Sequence, residues 1–260
     1  MTATDATKSS APTSKAPRVL VVVHDKDGNL NELAAPLAAE GLYLDVWDAE
    51  HNKTNIPDLQ KLDQYDGIIS LGAQAGVLEE ADFPWMSHER KIVEWALATE
   101  APLLGLCFGS QLIASAAGGE VYKAPVGEFG WTEVDLAPEA GTDPVIGALA
   151  TQGPGTKPLA FHYHYDTFTL PEGAALLGTT NGIKEAYRIG KAAWATQFHP
   201  EVGLAQMLAW FSTYRESYER KGIDVDEQIA LSHQNWPRYR EQAIALSKAF
   251  AEQVKAHAAN

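Results

Sequence analysis

Hydrophobic positions up to residue 106 gather into short runs. Arg18-Val19-Leu20-Val21-Val22-Val23 is the first. Tyr43 to Trp47, Asp66-Gly67-Ile68-Ile69-Ser70-Leu71-Gly72, and Pro102 to Leu106 follow. The first is a continuous β-branched run without polar alternation, as a strand covered on both faces requires, and the others read as further strands. Helical patterns lie between them. Residues 29–40 read as a short helix around Pro36. Residues 84–99 place Trp85, Ile92, Val93, Trp95 and Ala96 on one inward face. Residues 108–117 read as a helix that Gly118-Gly119 terminates. The alternation predicts an α/β fold, an open and mostly parallel sheet flanked by helices. Such sheets bind ligands beyond the carboxyl ends of their strands, where Gly72 and Cys107 both fall.

After residue 119 the pattern changes. Glu120 to Lys123, Trp131 to Leu136, Phe161 to Tyr165, Ala175 to Thr179, Lys184 to Ile189 and Ala193 to Phe198 are short strand-like runs between turn residues. They predict antiparallel strands appended to the sheet. From Leu204 to about 220 the chain reads as helix, and residues 226–257 add more around Trp236-Pro237. The expected organisation is a tail over 1–17, one domain over 18–220 and a C-terminal helical extension over 221–260.

The tail is polar and lacks the apolar centre of about 7 residues or more that a secretory signal needs, so it reads as disordered. No apolar run approaches the roughly 20 residues that span a bilayer. The formal net charge of −14 disfavours nucleic acid and anionic membrane surfaces as partners. A single cysteine cannot form an internal disulfide, and with no signal segment the expected location is the cytoplasm.

That cysteine lies in Gly105-Leu106-Cys107-Phe108-Gly109, between a predicted strand and a predicted helix. G-x-C-x-G at such a junction has the form of a nucleophile elbow. A sharp turn lifts the sulfur above the sheet, and glycines on both flanks let strand and helix approach. The following helix aims its N-terminus at the sulfur, which favours a thiolate. The Phe108 N–H falls where an oxyanion would form. A thiol nucleophile needs a base and an orienting acid, near in space and not in sequence. His199, in Gln197-Phe198-His199-Pro200-Glu201-Val202, follows a predicted strand, and Glu201 is placed to hold its tautomer.

Together these two segments resemble the class I (triad) glutamine amidotransferases, most closely the amidotransferase domain of GMP synthetase and its stand-alone relatives, over roughly residues 18–215. Ile68 to Gly72 resembles the family's oxyanion loop and Glu128-Phe129-Gly130-Trp131 the segment after the nucleophile helix. His162-Tyr163-His164-Tyr165-Asp166 resembles its His-Gly-Asp loop at the glutamine pocket.

The resemblance implies a flavodoxin-like fold and a Cys107–His199–Glu201 triad. It implies an oxyanion hole from the N–H groups of Gly72 and Phe108, and substrate contacts from Gln111, His164, Tyr165 and Asp166. Glutamine would be cleaved through a γ-glutamyl thioester without a cofactor, and the ammonia passed to a synthetase on another protein. Two departures leave an alternative open. Gly72-Ala73-Gln74 replaces the family's Gly-Gly-Pro, and Tyr165 stands in the glycine position of the His-Gly-Asp loop. Both favour a different γ-glutamyl compound, a peptide or amine. His162 and His164 share one face of a strand and could ligate zinc, but no third ligand stands at a zinc-site spacing, so no metal is expected.

Overall fold

The computed structural model describes residues 15–51, 55–151, 153 and 155–260. Most of the tail read over 1–17 lies outside the described residues. The four apolar runs form β1 (Arg18–Val23), β2 (Tyr43–Asp48), β3 (Gly67–Ser70) and β4 (Leu103–Leu106). They are parallel, in the order β2-β1-β3-β4. The helices between them are α1 (Ala34–Ala39), α2 (Trp85–Thr99) and α3 (Phe108–Ala116). The helix expected over 29–40 starts late: Asn31–Leu33 is a 3-10 turn, and α1 runs for only 6 residues around Pro36.

The second half supplies β5 (Val121–Glu133), β6 (Asp135–Leu136), β7 (Leu159–Phe168), β8 (Ala175–Thr180), β9 (Ile183–Ile189) and β10 (Ala193–Thr196). β10 joins β4 in parallel, and β9, β8 and β6 extend the sheet antiparallel to give eight strands. β5 and β7 leave that sheet and pair as a separate antiparallel ribbon. Two expected strands, Glu120 to Lys123 and the start of Trp131 to Leu136, are one long strand here. Its register shifts between Lys123 and Glu128, where Pro125 and Gly127 interrupt the ladder. A proline has no N–H to donate, and a bulge absorbs the irregularity.

Three helices close the chain: α4 (Leu204–Thr213), α5 (Arg215–Arg220) and α6 (Val225–Ala258). α6 is 34 residues long and continues through Pro237. Its buried positions Tyr239, Ala243, Leu246, Phe250 and Val254 recur every three or four residues, one helical face. From Ala243 onward that face packs into the same cluster as Val19 and Val21 of β1 and Ile69 of β3, while Tyr239 joins a second cluster with Phe161 and Phe211. Val254 lies against Gly67, where a Cβ would come within 2.7 Å of its side chain.

Candidate active site

Four strand ends converge on one cavity of about 330 Å³. β4 ends in Cys107, whose backbone lies at φ 51°, ψ −105°. A non-glycine residue held there stores roughly 1–3 kcal/mol, which only a rigid surround maintains. The surround is rigid. Cys107 N–H donates to Thr196 O at 2.8 Å, and Ser110 Oγ donates to Cys107 O at 2.6 Å. A Cβ on Gly105 would strike Gly109 C at 2.7 Å, and one on Gly109 would strike Ser70 Oγ at 2.6 Å. The two flanking glycines are therefore required by close backbone approach.

His199 arrives from the segment after β10. Its N–H donates to Phe161 O at 2.9 Å, and its carbonyl accepts from the Tyr239 hydroxyl at 2.6 Å. Nδ1 lies 2.8 Å from Glu201 Oε1, and Nε2 is buried without a hydrogen-bond partner. A Cβ added to Gly72 would meet His199 Cε1 at 2.9 Å and Cys107 Cβ at 3.6 Å, so these three distant residues share one spot. Burial by itself would lower the pKa of His199. The neighbouring Cys107 and then Glu201 outweigh it and hold the imidazole well above its ordinary value.

The Leu71–Gly72 peptide is clamped from below. Leu71 O accepts from Gly109 N–H at 3.1 Å, so the Gly72 N–H of the same trans peptide points away from α3. Gly72 O lies 3.1 Å from His24 Nδ1, and Gln74 N–H donates to Asp25 Oδ2 at 2.9 Å. Phe108 opens α3, so its N–H has no partner inside the helix.

The cavity is also lined by Gln111, His164, Tyr165 and Asp166. The Gln111 side-chain N–H groups donate to Asp166 O at 3.3 Å and Gln197 Oε1 at 3.2 Å. Asp166 pairs with Lys123 at 2.7 Å. Tyr165 is exposed and meets Phe129 edge-on, with ring centroids 4.9 Å apart. His164 presents its ring to the cavity, but its nitrogens point elsewhere: Nδ1 to Asp166 O at 3.1 Å and Nε2 to Glu128 at 3.2 Å.

Sequence reasoning left several residues without a role. Gln197 sits in the quoted motif, and its Nε2 reaches Cys107 Sγ at 3.7 Å. His24, Glu89 and Ser70 form a buried chain under Gly72, with bonds of 2.8 and 2.7 Å. A histidine directly after the first buried strand was the one available signal. The expectation that His162 and His164 lack further ligands needs correction. Glu128 and Glu185 from other strands complete a group of four whose potential ligand atoms all lie within 4.8 Å of one another. Sequence spacing could not show this, because the two acids come from strands of different sheets. Burial, then His164 and His199, push the pKa of His162 well below its usual value. Burial and then Glu128 push that of Glu185 well up.

Comparisons with known proteins identify the family. The sequence model of the family "Glutamine amidotransferase class-I" matches residues 21–209. The chain is 32% identical over 194 residues to the glutamine-hydrolyzing GMP synthase of Symbiobacterium thermophilum, covering 71% of this chain and 33% of that protein. It is 32% identical over 144 residues to a separate glutamine-hydrolyzing GMP synthase subunit of Sulfurisphaera tokodaii, covering 54% of this chain and 70% of that protein. It thus spans about a third of the longer relative and most of the separate subunit. The crystal structure of a glutamine amidotransferase from Thermotoga maritima superposes with a TM-score of 0.77 at 26% identity, over 92% of this chain and 100% of that one. Among the described residues no helix is long and apolar enough to cross a membrane. With a matching family model and matching architecture, this chain belongs to the class I glutamine amidotransferase family.

Proposed function

We propose that the chain hydrolyses the γ-amide of glutamine, with Cys107 as nucleophile, His199 as proton carrier and Glu201 as its orienting acid. The observation that carries this reading is the contact of Gly72, Cys107 and His199, with one imidazole nitrogen committed to Glu201 and the other left open. The thiol proton passes to His199, and the sulfur adds to the γ-carbonyl carbon. The N–H groups of Gly72 and Phe108 receive the oxyanion. His199, held high by Cys107 and Glu201, gives its proton to the departing nitrogen, which leaves as ammonia. Water, deprotonated by the same imidazole, then cleaves the thioester to release glutamate.

Gln111 and Asp166 stand at the cavity wall, where they would meet the amino-acid end of the substrate. In this reading the ammonia passes to a synthetase on a partner protein. The Sulfurisphaera relative, itself a separate subunit, supports that arrangement. The helical extension over 221–260 acts as a brace on the His199 segment through Tyr239. Ammonia release from glutamine, with mass detection of a γ-glutamyl adduct on Cys107, tests the reading. Turnover that survives Cys107→Ala would end it.

A second reading is favoured by one feature. The cavity continues past Tyr165 to Trp210 and Tyr214, more aromatic wall than a free amino acid needs. The substrate would then be a larger γ-glutamyl amine or peptide, cleaved by the same steps. A kcat/KM for γ-glutamyl compounds well above that for glutamine would select this reading.

A further inference from the structure

Behind the catalytic segment, Glu128 of β5, His162 and His164 of β7 and Glu185 of β9 meet between the ribbon and the main sheet. Both histidines and Glu185 are buried to at least 96%, at 0%, 4% and 0% exposure for His162, His164 and Glu185. Their inward atoms lack hydrogen-bond partners: Glu128 Oε2, His162 Nδ1, His164 Nε2 and both oxygens of Glu185. Buried polar atoms in folded proteins are almost always paired, so five orphans in one spot demand an explanation.

A carbonyl partner fixes the tautomer of His164. His164 Nδ1 lies 3.1 Å from the Asp166 carbonyl, which can only accept, so Nδ1 carries the proton. In a neutral ring Nε2 would then be a bare lone pair, and it faces a carboxyl oxygen of Glu128 at 3.2 Å. His162 repeats the arrangement. Its Nε2 lies 2.7 Å from the Thr132 hydroxyl, which can donate or accept, and its Nδ1 faces Glu185 Oε2 at 3.7 Å. Unless a proton or a cation lies between them, lone pairs face one another in a site of low polarity. A ring nitrogen held by a carbonyl or hydroxyl, with the other aimed inward, is how proteins orient histidines toward a metal.

We propose that these four residues bind one divalent cation of the zinc type. Two imidazoles and two carboxylates suit zinc and its transition-metal neighbours, whereas magnesium and calcium favour all-oxygen sites. Tetrahedral ligands at about 2.0–2.2 Å from zinc lie roughly 3.3–3.6 Å apart, so a site spanning 4.8 Å closes with small side-chain rotations. His164 borders the cavity, which gives the ion a way in. Three strands of two sheets are joined there, so the ion staples the ribbon carrying Tyr165 and Asp166 to β9. Glu185 in turn is tied to the catalytic segment, because its carbonyl accepts from Gln197 N–H at 2.8 Å.

The full chain, stripped by a chelator and dialysed, is titrated with Zn2+ by calorimetry and with Co2+ by visible absorption. The expected result is one equivalent of each, a cobalt spectrum of low-symmetry N/O ligation, and a melting temperature raised by Zn2+. Glu185→Gln keeps the shape of the side chain and removes one anionic ligand. It is expected to weaken Zn2+ at least about 100-fold, and circular dichroism checks that the variant is folded. No stoichiometric binding by the folded wild-type chain overturns the proposal, and so does binding that Glu185→Gln leaves unchanged. In the first case, protons on the two carboxyls are what satisfy the cluster.

Discussion

Two buried His–Glu pairs touch the same glycine and do opposite things. His24 Nε2 sits 2.8 Å from Glu89, and its other nitrogen is spent on Gly72 O. His199 Nδ1 sits 2.8 Å from Glu201, and its other nitrogen is unspent beside Cys107. Both imidazoles are held above their ordinary pKa against burial, His24 by Glu89 and His199 by Cys107 and Glu201. Chemistry, then, is not set by the ion pair itself. It depends on whether the second nitrogen is saturated by backbone or left open to a substrate.

The most severe disruption removes the open nitrogen. His199→Ala or Cys107→Ala is expected to lower ammonia release by about 10⁴-fold or more, with unchanged circular dichroism. Glu201→Gln leaves the imidazole in place, so its loss should be roughly 10- to 100-fold milder than that of His199→Ala in the same assay. The reverse order would mean that the roles are misassigned.

Breaking the saturated pair should act on stability first. His24→Leu strands Glu89, which is fully buried, and is expected to cost about 3–5 kcal/mol in urea unfolding. His24→Asn, which can still bond Gly72 O, should recover part of the activity that His24→Leu loses. Tyr239→Phe removes one hydrogen bond to the His199 carbonyl and should cost about 1 kcal/mol.

A pH measurement separates the two imidazoles most finely. A raised imidazole stabilises the fold fully below its unfolded value of about 6.5, and that stability is lost as pH rises through the folded value. Cys107 is the larger of the two groups raising His199. In Cys107→Ala the His199 NMR titration should therefore move down in pH, and the alkaline loss of stability should begin earlier. His24 should titrate unchanged, and a shift of His24 instead would contradict the separation.

Much of this is visible in the residues alone, for identifiable reasons. β1, β3 and β4 are unbroken aliphatic runs because both faces are covered, so periodicity reveals them. The elbow glycines and the His199 segment are readable because backbone closeness restricts residue type. What escapes notice involves partners across sheets. Glu185 lies in an ordinary strand, and its place opposite His162 depends on how β9 passes under the ribbon. β5 reads as two strands because Pro125 and Gly127 interrupt a pattern that a bulge keeps continuous. The helix read over 226–257 around Trp236-Pro237 is continuous, because α6 carries Pro237 without ending.

The long α6 has one more implication. Its Gln242 side chain holds Leu159 at both backbone groups, at 3.1 and 3.2 Å, while Tyr239 grips the carbonyl of His199. The family match stops at residue 209, before either of them. A fragment trimmed to that boundary would keep every signature motif and lose both grips. Its imidazole would be left on a strand exit held only by the Phe161 carbonyl and Glu201, so the smallest competent enzyme should reach past the end of the family model.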